Sequence, residues 1–60
     1  MTMKAFQFEH DGHLLDVPVE TGLSKQQAAE VLQDLIEMGH IKRTGEEKSF
    51  PLPKFVGMVD

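Results

Sequence analysis

Residues 4–19 read Lys4-Ala5-Phe6-Gln7-Phe8-Glu9-His10-Asp11-Gly12-His13-Leu14-Leu15-Asp16-Val17-Pro18-Val19, and this stretch decides the fold. Asp11-Gly12 is a dipeptide that accepts the two positive φ angles of a type I′ hairpin turn. A two-residue loop at that point sets His10 opposite His13 and fixes every later pair: Phe8 with Leu15, Phe6 with Val17, Lys4 with Val19. These pairs build an apolar face. The other face carries Glu9 with Leu14, Gln7 with Asp16 and Ala5 with Pro18, which is mostly polar, so turn chemistry and hydrophobic pattern select the same register. The hairpin is expected over residues 3–20.

Pro18 adds topology. It has no N–H to give to a ladder and is tolerated where that position faces outward. In this register Ala5 and Pro18 form a non-hydrogen-bonded pair, so the missing donor points away from the first strand. The second strand is therefore an edge, and a third strand adds beside the first, in the order 2-1-3.

Downstream, Ser24 followed by Gln27 is a capping-box pattern, and Leu23 can staple onto Ala28. Ala28, Val31, Leu32 and Leu35 recur at helical spacing with Ile36 widening the stripe, while Lys25, Glu30, Gln33, Asp34 and Glu37 take the opposite side. Gly39 after Met38 reads as a left-handed C-terminal cap, which predicts a helix over 25–38. Residues 40–50 read as a short strand and turn, the first candidate for the third strand. Pro51 and Pro53 limit residues 51–60 to an extended segment, apolar at Phe55-Val56-Gly57-Met58-Val59. The expected fold is a two-layer α+β domain: a small antiparallel sheet with one amphipathic helix on one face, in the chain order β-β-α-β, ending in an extended C-terminal segment.

Bulk composition bounds the function. Sixty residues, 40% of them apolar and none of them cysteine, allow one small domain without a disulfide, and a chain of this size buries only about 60% of its unfolded surface. Most enzymes are excluded by length. A homodimer is the expected supplement to so small a core, through the sheet edges or through the tail residues Phe50, Leu52, Phe55, Val56 and Met58; in the competing reading the tail is the lid of the monomer's own core. The net charge of -4 and a pI near 5.2 argue against a protein built to hold a phosphate backbone. The start of the chain has no apolar run of signal-peptide or membrane-span type, and a cytoplasmic location is expected.

The residues bear on three chemistries. His10 and His13 face each other across the hairpin and are the metal-ligand candidates, but two imidazoles need further ligands and a supporting shell, and no cofactor is expected. Of the hydroxyls, Ser24 is explained as a helix cap, and no nucleophile is paired by motif with a base and an oxyanion hole, so no catalytic residue is assigned. No glycine-rich phosphate loop occurs.

Thr21-Gly22-Leu23-Ser24, the following helix, and Gly39-His40-Ile41-Lys42-Arg43 with its turn resemble the recognition-helix and wing half of winged helix-turn-helix domains. That resemblance implies a DNA-binding regulator in which Lys25, Gln26, Gln27 and Glu30 face base edges, while Lys42, Arg43 and Lys48 in a wing over 41–50 touch phosphates. It requires helix before Thr21, where the residues read as a hairpin. The order hairpin, helix, returning strand resembles in layout small phage or bacterial proteins that bind and inhibit a host enzyme, including small phage inhibitors of bacterial RNA polymerase. The expected function is a non-catalytic module, a small soluble bacterial or phage protein that binds and modulates a protein partner. DNA binding is the alternative.

Overall fold

The structure, a computed structural model, describes residues 4–60. Strands β1 (Ala5–His10) and β2 (His13–Pro18), helix α1 (Lys25–Thr44) and strand β3 (Lys54–Val59) follow in chain order. The sheet is antiparallel with the order β2-β1-β3. This is the expected α+β fold with its expected strand order.

The hairpin register is the one the turn dictates: Ala5 opposite Pro18, Phe6 opposite Val17, Phe8 opposite Leu15 and His10 opposite His13. Asp11 and Gly12 take φ of 51° and 80°, the left-handed values a type I′ turn demands. The Val19 N–H donates to the Lys4 carbonyl at 2.9 Å, which extends the ladder by one hydrogen-bonded pair and leaves Ala5–Pro18 as the non-bonded pair before it. Strand ends at Pro18 and not at residue 20, because Val19–Thr21 coil into a short 3-10 turn. The expected start at Met3 lies outside the described residues.

Ser24 caps α1 as its sequence foretells. Its Oγ accepts from the Gln27 N–H at 3.1 Å, while the Gln27 Oε1 accepts from the Ser24 N–H at 3.0 Å. Ser24→Ala is expected to cost about 1 kcal/mol, read as a lowered urea midpoint with an unchanged slope; a midpoint equal to the parent's would remove the cap from the account of stability.

The helix runs to Thr44, six residues past the expected end at Met38. Gly39 stays helical, and Gly45 is the left-handed cap at φ 76°, its N–H bonded to the Ile41 carbonyl at 2.7 Å. Lys42 and Arg43 occupy the last turn, where cations complement the negative helix end. The strand and turn expected over 40–50, and with them the wing over 41–50, are replaced by helix to Thr44 followed by an extended segment. The third strand is the tail itself. Pro51 and Pro53 precede its first residue, so neither removes a ladder donor.

The core lies between α1 and the apolar face of the hairpin. Phe8 is fully buried, Val17, Ala28 and Ala29 nearly so, and Phe6, Leu23, Leu32 and Phe55 pack around them. Phe55 meets the rings of Phe8 at 5.6 Å and Phe6 at 6.3 Å, both edge to face, a favoured aromatic geometry. Ala28 and Ala29 let the helix come close over β1 and β3. This orientation corrects the expected stripe: Ala28, Ala29 and Leu32 face the sheet with Ile36 half-buried, while Val31 and Leu35 are exposed.

Candidate interaction surfaces and the cleft at the hairpin tip

A 20-residue helix is about 30 Å long at 1.5 Å per residue, whereas six-residue strands span about 20 Å. The helix therefore overruns the hairpin tip, and the molecule is elongated, 41 × 22 × 18 Å. Residues 46–53 return along the overhang to the sheet. Two side chains of α1 hold this return: the Gln33 Nε2 donates to the Phe50 carbonyl at 2.6 Å, and the Phe50 N–H donates to the Glu37 Oε2 at 2.9 Å. The Phe50 ring meets His10 at 5.6 Å and His40 at 5.5 Å, both edge to face. Lys48 Nζ lies 5.0 Å from its centroid, in cation–π range.

Three histidines thus separate into different roles. His10 and His40 both pack edge to face against Phe50, and exposed His13 stands across the hairpin from His10. Beside them a cleft of about 280 Å³ opens between the hairpin tip and α1, with Asp11 and Arg43 on its rim. Among the described residues, no three His, Cys, Asp or Glu side chains converge in a way that could hold a metal ion. The hydroxyls of Thr21, Ser24 and Thr44 are all engaged with nearby backbone.

The tail residues named from the sequence do not act as a unit. Phe50 and Phe55 are half-buried, among the His10 and His40 rings and in the aromatic core respectively. Leu52, Val56 and Met58 are exposed by 48%, 53% and 54%. The register nonetheless sets Phe55 and Met58 on one face, that of Phe8 and Phe6. Phe55 pairs with Phe8 and Met58 with Phe6, and the register shifts by one residue between them, so that Val56 is the extra residue of a bulge. β3 is an edge strand: Val59 and Gly57 pair with Ala5 and Gln7, so by ladder alternation the N–H and C=O of Met58 point outward.

The nucleic-acid candidates fall at opposite ends of one helix. Lys25, Gln26 and Gln27 occupy its first turn, with Lys25 Nζ 4.6 Å over the Phe55 ring and Gln27 engaged in the cap. Lys42 and Arg43 stand 17 residues further on, about 26 Å away along the axis, and Lys48 lies over Phe50. Exposed Glu30 sits between the two groups.

Sequence reasoning missed one surface. Val31, Leu35, Met38 and Ile41 are exposed by 41%, 57%, 64% and 40% and run down a single side of α1. Their spacing was visible, but the sequence does not say which of two adjoining apolar stripes meets the sheet. No described helix is long and apolar enough to cross a membrane. In comparisons with known proteins, the chain matches no family model, no curated protein and no solved structure.

Proposed function

We propose that this chain is a non-catalytic interaction module of the cytoplasm that recognises a protein partner by accepting an extended segment at the open edge of β3. The observation that carries this reading is the contrast between the two sheet edges. The β2 edge holds Pro18 in place of an outward donor and Asp16 beside it, devices that discourage strand addition. Between Lys54 and Asp60 the β3 edge carries neither proline nor a charged side chain, its one irregularity being the bulge at Val56. Its Met58 backbone groups point outward, and Val56 and Met58 present apolar side chains beside them. Strand addition draws affinity from main-chain hydrogen bonds and specificity from the flanking side chains. Binding of this kind modulates a partner without chemistry, which suits a chain in which the hydroxyls of Thr21, Ser24 and Thr44 serve its own backbone.

The test compares capture from lysate of the source cell by the parent and by Met58→Lys, with and without nuclease. A gatekeeping lysine on the edge leaves the β1–β3 ladder intact and is expected to abolish capture of a protein that the parent retains after nuclease treatment. Capture unchanged by Met58→Lys would move the site away from this edge. Recovery that depends on nucleic acid and falls steeply with salt would instead make Lys42, Arg43 and Lys48 phosphate contacts.

A further inference from the structure

Along α1, Val31, Leu35 and Met38 form an exposed apolar line, and a shallow hollow lies beside it, lined by Leu35, Met38, Gly39, Ile41 and Lys42. Gly39 makes the hollow. It stands inside the helix, where glycine is the least favourable residue after proline, and its φ is not positive. A Cβ built on it would meet nothing within 4 Å. Neither backbone conformation nor crowding within the chain requires glycine here, and the missing side chain leaves the helix surface open to a docking group.

Charge along the same side is polarised. Glu30 and Asp34 lie toward the N-terminal end of the line, and Lys42, which lines the hollow itself, toward its C-terminal end. Glu30 and Asp34 are also a like-charge pair four residues apart, which is unfavourable on an isolated helix. A surface with acid at one end and base at the other is complementary to itself when inverted, as a two-fold axis across the helix requires.

We infer that this face of α1 is a self-association surface, on which a second copy of the chain docks with its α1 antiparallel about a two-fold axis near residue 37. That alignment seats Leu35 of each copy in the Gly39 hollow of the other. It also brings Lys42 of each copy to the level of residue 32 of the other, one residue from Val31 and two from Asp34. The surface is separate from the β3 edge, so the dimer and the proposed partner can be bound together.

Sedimentation equilibrium of the full chain tests this, and the parent is expected at twice 6.8 kDa. Gly39→Leu replaces a helix-disfavouring residue in open space, so the monomer keeps its fold and gains thermal stability at concentrations where it is dissociated. The same change fills the hollow and is expected to weaken the dimer by about a hundredfold, the cost of a displaced apolar knob. Lys42→Glu should weaken it about tenfold, and Asp34→Lys combined with Lys42→Glu should restore most of that loss. A parent that stays at 6.8 kDa up to millimolar concentration overturns the proposal and leaves the face to a different protein. So does a Gly39→Leu chain that dimerises like the parent, or a charge swap that restores nothing.

Discussion

Phe8→Ala is expected to leave the chain largely unfolded at 25 °C. Among the described residues Phe8 is the one large side chain with no exposed surface, and Val17, Ala28, Ala29 and the edge of Phe55 close around it. Removing a buried phenylalanine ring costs about 3–5 kcal/mol through lost burial and the cavity left behind. At 0.05–0.15 kcal/mol per residue, a domain of this length has about 3–9 kcal/mol in total, so one substitution consumes much of it. Leu14 provides the contrast: it lies in the same hairpin on the other face, 59% exposed, and Leu14→Ala should change stability by no more than about 0.5 kcal/mol. Far-ultraviolet circular dichroism against urea measures both. A Phe8→Ala chain with a midpoint close to that of Leu14→Ala would show that the fold does not depend on the core described.

What the sequence disclosed and what it concealed divide along a physical line. The hairpin was legible because its signals are local and independent: Asp11-Gly12 sets the turn, the alternation of Phe6 and Phe8 sets the face, and Pro18 sets the edge. The start of α1 was legible for the same reason, since Ser24 and Gln27 satisfy each other's backbone within one turn. The end of α1 was not. Gly39 and Gly45 are both acceptable caps, and a helix crosses an interior glycine for about 1 kcal/mol when the residues beyond it gain from continuing. Lys42-Arg43 before Gly45 was the available signal, a basic last turn followed by glycine. Once the helix lengthens, the strand expected over 40–50 has no residues left to form it, and the sheet recruits Lys54–Val59 instead. The surfaces offered for binding were only partly visible. The placing of Met58 opposite Phe6, on the face of Phe55, depends on a bulge, and exposure of Leu35 against burial of Ala29 depends on helix rotation over the sheet, both set by packing between distant segments. The ends of β3 and the face of α1 were thus fixed by tertiary contacts that no single stretch of sequence encodes.

The contact that decides where β3 begins is the pair of hydrogen bonds from α1 to Phe50, and its loss is expected to be the second largest effect in the molecule. Residues 46–53 have no ladder of their own. Their backbone is held by the Gln33 amide on the Phe50 carbonyl and the Glu37 carboxylate on the Phe50 N–H, both part-buried. A hydrogen bond to a charged group contributes about 1.5–3 kcal/mol and a neutral one about 0.5–1.5 kcal/mol. Because the two clamp one peptide segment, they act together and need not add. Gln33→Ala with Glu37→Ala is expected to cost about 2–4 kcal/mol, less than Phe8→Ala but more than loss of the Ser24 cap. The effect should also be local before it is global. Amide exchange at Phe50 should rise to the rate of an open loop while Phe6 and Phe8, bonded to β2, keep most of their protection. Released at Phe50, the chain would lose the edge-to-face contacts of His10 and His40 with Phe50, and β3 would enter the sheet from a loose tether with Val56 and Met58 less firmly presented. Capture through the β3 edge should then weaken even though no residue of that edge has changed. An unaltered exchange rate at Phe50 in the double variant would show that the sheet, and not the helix, positions the returning segment.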